Sequence, residues 1–324
     1  MIAYEKRAST VLFNLIRSHP LEGPFLLPAN ICPIVPMVFY KARRPFEFID
    51  ISPDTLCMDH DSLISRWLAS GVKPAGVIYV RTYGAIFDAS DVFAEIKLLS
   101  PDALIVDDRC LCPPEFGDIL PNHADAVLFS TGYAKFVDIG FGGFGFIREG
   151  IPYVGAETDF SNQDLDELIQ CYKSTLENKT LFSYKESDWL DTRTPNISWT
   201  AYQEMVTQEF SQVIKIKNNI NKIFASQLPV EIQFPAAFQS WRFNIQVLEK
   251  AALLEKIHHE GLYASGHYES LAYLFGRGHA PFAQNMHHHV INLFNDRYFS
   301  IDQALKLVDL LNNSKMLSKW KMFS

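Results

Sequence analysis

Ala124-Asp-Ala-Val-Leu-Phe-Ser-Thr-Gly-Tyr-Ala-Lys135, continued by Phe136-Val-Asp-Ile-Gly-Phe-Gly-Gly-Phe-Gly-Phe-Ile147, is the stretch on which the reading of the chain turns. The apolar run Ala126 to Phe129 predicts a short buried strand. Ser130-Thr-Gly132 is a turn signal that exposes polar groups at the strand's end. Lys135 sits at that turn, before a glycine-rich stretch that leads into a second apolar strand, Gly143 to Ile147. Most lysines are solvated surface charges. One at the end of a buried strand stands where an open α/β sheet binds its ligands. An amine held there can attack a carbonyl carbon.

An upstream segment of the same kind gives Lys135 a partner. Ala103-Leu-Ile-Val-Asp-Asp108 is an apolar strand ending in two acids. An acid at the end of one strand and a lysine at the end of the next are the two groups a pyridoxal phosphate (PLP) site needs. The lysine holds the cofactor as a Schiff base, and the acid keeps the pyridine nitrogen protonated so that the ring can accept electrons.

At these residues the chain resembles the DegT/StrS-type PLP-dependent sugar aminotransferases, which have the aspartate aminotransferase-like fold (fold type I). The family pattern is a strand ending in an acid pair, then a strand ending in Ser, the Schiff-base Lys five positions beyond, and Gly-Gly shortly after. Here these positions read Asp107-Asp108, Ser130, Lys135 and Gly142-Gly143. The resemblance covers most of the chain. It implies that Lys135 carries PLP, that Asp108 faces the pyridine nitrogen and that Ser130 helps to hold the cofactor.

The same resemblance implies further cofactor contacts. The family's first helix opens with a Ser-Gly-Thr-type motif that binds the phosphate, and Arg7-Ala8-Ser9-Thr10 is the best match, without the glycine. Ser9 and Thr10 are thus phosphate candidates, or ordinary helix caps on their residue types alone. Family members carry several tens of residues before this motif, so the expectation is a shortened N-terminus or an incomplete reading frame. Cys32 stands near the family's ring-stacking aromatic, and Cys110 takes the position against the second ring face; Cys32 reads equally as a small buried hydrophobe. Leu111 replaces a common Gln or His. Asn196 matches an Asn that reaches the partner subunit's PLP, with Ser198 where Arg is usual, and an Asn before a helix is also a cap. Gly261 to Tyr268 resembles the passage whose His-Tyr pair, here His267-Tyr268, lies near the substrate.

Composition agrees with a metabolic enzyme of ordinary size. The chain has 324 residues, 48% hydrophobic and 20% charged, enough for a large domain and a smaller one. A net charge of −8 argues against a nucleic-acid-binding surface. Five cysteines without regular spacing point to a reducing, cytoplasmic setting. No long apolar run predicts a membrane span. No metal site is expected. Cys110 and Cys112 are one residue apart with no second pair, and His287-His-His289, read on a strand from His288 to Leu293, would alternate between faces. Arg81, after the strand Gly76 to Val80, reads as an anion ligand or a surface ion pair.

Strands alternate with helices through the first half, which predicts a large, mainly parallel sheet with helices on both faces. Tyr4 to Arg17 has helical spacing throughout. The predicted PLP-binding large domain is 1–195. A long helix enters the small C-terminal α+β domain, 196–324, in which Phe238 to Val247 alternates as a strand. The resemblance implies an aminotransferase moving nitrogen from an amino acid, glutamate by expectation, to a nucleotide-linked keto sugar. Surface-polysaccharide or secondary-metabolite biosynthesis is the implied setting, and a homodimer with shared active sites the implied assembly. Another PLP reaction on the same fold, or a degenerate PLP-fold protein with a binding or structural role, is the alternative; Leu111 and Ser198 favour the latter.

Overall fold

Seven strands make one sheet in the computed structural model, which describes residues 1–117 and 119–314. They are β1 (Ile2–Glu5), β2 (Phe25–Pro28), β3 (Phe46–Ile49), β4 (Gly76–Val80), β5 (Leu104–Asp108), β6 (Ala126–Ser130) and β7 (Gly143–Ile147), in the order β1-β7-β6-β5-β4-β2-β3. Strands β2 to β6 pair in parallel, while β7 runs against both β6 and β1. Every residue of β2, β5 and β6 is buried, as a parallel sheet covered on both faces requires.

Two helical layers cover the sheet, and strand alternation sorts side chains between them. Leu27, Ile78, Val106 and Leu128 meet α1 (Ala8–Ser18) and α2 (Ile34–Lys41). Val77, Tyr79 and Ile105 meet α3 (His60–Leu68) and α4 (Ser90–Leu99) on the other face, around Trp67 and Phe93. Asp59 caps α3, its carboxylate accepting from the Ser62 amide.

The opening of the chain differs from its periodicity. Tyr4 belongs to β1, and the helix starts only at Ala8. Four residues are too few for a strand pattern to compete with the eleven-residue helix behind them, and β1 forms because β7 offers it an edge. In that pairing Ala3 lies opposite Gly145 and Glu5 opposite Gly143.

A second, antiparallel sheet of three strands follows, β8 (Phe243–Gln246), β9 (Ala264–Gly266) and β10 (Val290–Leu293), in the order β8-β10-β9. Its core is Phe224, Ile245, Leu253, Ile291 and Leu307. It is enclosed by the later part of α6 (Trp199–Gln227), which follows α5 (Asn162–Asn178), and by α7 (Lys250–His259) and α10 (Ile301–Asn312). The predicted strand from Phe238 shortens to β8, because Ala236–Phe238 is a 3-10 turn behind Pro235. The predicted strand from His288 begins at Val290; His287, His288 and His289 end α9 (Pro281–His289), a helix begun by Pro281 at its first position.

The stretch 271–286 returns to the first core. Phe275, just after α8 (Leu271–Leu274), packs on Phe46 and Phe48 of β3, with ring centroids 6.2 and 5.9 Å away. Asp50 accepts from the Phe282 and Ala283 amides at 2.9 Å, a negative group on the positive end of α9. Among the described residues, no helix is long and apolar enough to cross a membrane.

Candidate active site

Parallel strands leave their carboxyl ends open on one side of the sheet, and a cavity of about 290 Å³ lies there. The large sheet contributes Cys32, Asp108, Cys110 and Lys135 to its walls, and the small sheet contributes Arg242 and His267. Lys135 and Asp108 therefore share one cavity.

The acid pair at the end of β5 splits into two environments because neighbouring residues of a strand face opposite ways. Asp107 is fully buried between two guanidinium groups. Arg81 Nε and Nη2 hold its two oxygens at 2.6 and 3.1 Å, and Arg109 Nε reaches it at 3.0 Å. Arg81 is itself 1% exposed and packs over Phe87, 4.5 Å from the ring centroid. It is thus a buried ion pair, neither an anion ligand nor a surface pair. The parallel register of Val80 on Asp108 brings it beside Asp107.

Asp108 turns the other way, to the cavity. Its Oδ1 accepts from the Cys110 amide at 2.9 Å. The Cys110 side chain also hydrogen-bonds this carboxylate. Burial raises its pKa from the ordinary carboxylate value; the Cys110 thiol and amide and the Lys135 charge pull it back.

Lys135 is half-buried on a tightly held turn. Ala134 before it has φ 57°, a left-handed conformation unusual for a residue with a side chain. Two contacts hold it so: the Ala134 amide donates to Asp138 Oδ2 at 2.9 Å, and its carbonyl accepts from the Trp241 indole Nε1 at 2.7 Å. The turn's far end is fixed at Gly142, where φ is 93° and an added Cβ would come within 2.7 Å of Thr131 Oγ1. Trp241→Phe would leave a carbonyl without its donor and is expected to cost about 1–3 kcal/mol. Urea unfolding of the two proteins measures this.

The other sequence candidates are spread more widely. Cys32 and Cys110 line the cavity. Ser130 is buried at the end of β6, its Oγ accepting from the Gly132 amide at 3.4 Å. Ser9 and Thr10 lie in the first turn of α1, outside the cavity wall, and the Thr10 hydroxyl donates to the Asp191 carbonyl at 2.9 Å. The N-cap of α1 is Arg7, without a side-chain cap bond. Asn196 is exposed ahead of α6, where Ser198 is the capping residue. Among the described residues, no three His, Cys, Asp or Glu side chains gather to hold a metal.

Two cavity residues, and one guanidinium near the lysine's turn, lie outside the sequence reading. Trp241 and Arg242 come from a segment with no motif of its own. Arg7 places Nη1 3.2 Å from where a Cβ on Gly132 would lie, and Ser130 Oγ is 3.7 Å from the same point. The guanidinium therefore sits beside the turn that leads to Lys135. Its sequence signal is its place at the head of Arg7-Ala8-Ser9-Thr10.

These residues fit a PLP molecule. An amine and a buried carboxylate share a cavity whose wall includes Cys32 and Cys110. A guanidinium, a serine hydroxyl and the start of a helix lie together beside the lysine's turn, a cationic setting for a phosphate.

No family model matches the sequence, and no curated protein matches it. Solved structures do. A DegT/DnrJ/EryC1/StrS aminotransferase from Brucella abortus superposes with a TM-score of 0.69 at 15% identity, over 96% of this chain and 85% of that one. The PLP form of Spr1654 from Streptococcus pneumoniae, described as a sugar aminotransferase, gives 0.69 at 14%, over 96% and 86%. DesI, solved with its TDP-sugar product, gives 0.70 at 17%, over 96% and 79%. The chain therefore has the fold of the DegT/StrS sugar aminotransferases, the aspartate aminotransferase-like fold.

Proposed function

We propose that this chain, built on the fold of the DegT/StrS aminotransferases, is a PLP-dependent aminotransferase that carries nitrogen from an amino acid, glutamate by preference, to a nucleotide-linked keto sugar. The observation that carries the reading is the meeting of Lys135 and Asp108 in one cavity at the strand ends. The neighbours named for sugar and TDP-sugar chemistry support the acceptor class. So does the cavity wall: Asn30 Oδ1 and His267 Nε2 are buried there without partners, and such atoms suit a ligand rich in hydroxyls.

When bound, PLP supplies an aldehyde for an amine and a ring that accepts electrons. Lys135 Nζ would hold the aldehyde carbon and, once released, carry a proton to and from the donor's α-carbon. Asp108 Oδ2 would keep the proton on the ring nitrogen. Cys32 and Cys110 would bound the ring's faces. Arg7, Ser130 and the first turn of α1, with Ser9 and Thr10, would hold the phosphate end. Asn196, exposed on its own subunit, would reach the partner's site in a homodimer. The division at 195 and 196 into a cofactor domain and a small domain, and a cytoplasmic location, belong to the same reading.

Reduction with borohydride after incubation with PLP tests it. The parent should gain one phosphopyridoxyl group, on Lys135 by peptide mass. Lys135→Ala should gain none there and lose about 10²–10⁴-fold in glutamate-dependent amino transfer. A parent without label on Lys135 would falsify the reading.

A further inference from the structure

A second lysine, Lys217 of α6, is buried outside the cavity wall and behind the turn that carries Lys135. Its Nζ donates to the Trp241 carbonyl at 2.7 Å and to Asn295 Oδ1 at 2.9 Å. Asn295 is turned to receive it, because its own Nδ2 donates at 2.9 Å to Asn221 Oδ1, one helical turn along α6 from Lys217. With two protons on oxygens, the third is left for the Phe136 ring, whose centre lies 4.9 Å from Nζ.

Two of these contacts lead to Lys135. Phe136 follows it in the chain. Trp241 leads to the residue before it. The Trp241 amide donates to the Tyr83 carbonyl at 3.2 Å, its carbonyl accepts from Lys217, and its indole donates at 2.7 Å to the Ala134 carbonyl. That last carbonyl belongs to the peptide bond between Ala134 and Lys135. The ammonium therefore grips one neighbour of Lys135 directly and the other through a single side chain.

We propose that Lys217 is a positioning residue for the reaction: its ammonium braces the turn that carries Lys135, and the brace slackens when the proton leaves. The proposal rests on the aminotransferase reading. A charged donor bonds a carbonyl about twice as strongly as a neutral one. A neutral amine also turns a lone pair toward the electron-rich face of Phe136, where the ammonium placed a proton. The proton leaves within the ordinary range of pH. Burial, and then the Arg242 charge, push the Lys217 pKa down to about 7, against the pull of Asp296. These are the charged groups that act on it. Arg242 precedes β8, Asp296 follows β10, and they pair with each other at 2.5 Å. From the lysine's turn it is the Phe136 ring that faces Lys217.

Amide hydrogen exchange reads the turn directly. It is measured on the full chain without cofactor, on peptides spanning 131–142, and corrected for the intrinsic pH dependence of exchange. The Lys135 and Ile139 amides are bonded inside the turn, to the Gly132 and Thr131 carbonyls. In the parent their protection should fall about 10-fold between about pH 6 and about pH 9. In Lys217→Met it should be low and flat. Trp241→Phe keeps the ammonium but removes the indole link, and should lose most of the response. A purely structural lysine would act the other way, since neutralising a buried charge stabilises the whole fold. Amino transfer should follow the turn: kcat of the parent should exceed that of Lys217→Met about 10-fold at about pH 6, with a ratio that shrinks toward about pH 9. Turn protection that is constant or rises with pH in the parent, a response undiminished in either variant, or a kcat ratio that ignores pH would each overturn the proposal. PLP attachment at Lys135 does not enter the exchange measurement. Attachment without a turn response removes the brace alone, and a turn response without attachment removes the aminotransferase reading on which the brace's role depends.

Discussion

Asp108→Asn should lower kcat for amino transfer by about 10²–10³-fold, the usual effect of removing one preorganised electrostatic group. Asparagine keeps the side chain's shape and its acceptor for the Cys110 amide, but has no charge to hold a proton on a ring nitrogen. The same change should leave the fold no less stable at neutral pH. Burial raises the Asp108 pKa, so the charged carboxylate costs folding energy above its folded pKa, and that cost is relieved progressively as pH falls from the folded pKa to the lower unfolded one. The parent should therefore gain stability relative to Asp108→Asn on acidification. A variant that keeps parental kcat would remove Asp108 from the chemistry. Melting temperatures of both proteins across the acid range read the second effect.

A large effect of pH on the fold is expected from Lys217, a side chain of α6 that no motif marks. It is 2% exposed, and its Nζ donates to the Trp241 carbonyl at 2.7 Å and to Asn295 Oδ1 at 2.9 Å. Burial, with the Arg242 charge nearby, pushes its pKa down from 10.5 to about 7. Between these two values the unfolded chain holds a proton at this site that the folded chain does not. Stability must then rise with pH across that window, by about 1.4 kcal/mol per unit from this group. Below the folded value the slope vanishes and the burial cost is complete. Lys217→Met lacks the slope. The difference in unfolding free energy between the two proteins, taken by urea titration from pH 7 to 10, should change by a few kcal/mol in favour of the parent as pH rises. A constant difference would mean that Lys217 stays charged in the fold.

Much of this was legible because strands in a parallel sheet are short, apolar and bounded by turn residues. β4 and β7 begin at glycines and were readable to the residue. Lys135 and Asp108 were readable because each ends such a run. What could not be read depends on pairing between distant segments. β1 exists because β7 is beside it. Arg81 looked like a surface cation or a ligand, and only the register of β4 on β5 buries it against Asp107. His287, His288 and His289 looked like part of a strand, because Pro281, which starts their helix, lies too far upstream to enter a strand-length window. Trp241 and Arg242 come from the far sheet, and no local pattern shows that they close over the lysine's turn.

Phe46 and Phe48 of β3 are buried against Phe275, and Arg277 lies over the Phe46 ring, 4.7 Å from its centre. Their cover is thus encoded near the end of the chain. During synthesis, β3 leaves the ribosome long before α8 exists. Until residue 277 emerges, an edge strand whose phenylalanines lack part of their cover faces the crowded cell, a surface suited to chaperones or to misassembly with another nascent copy. The segment that finishes the first core is also the one that carries the chain between β9 and β10. Completion of the large sheet's packing therefore waits on translation of the small one, and the two parts mature as a single folding event.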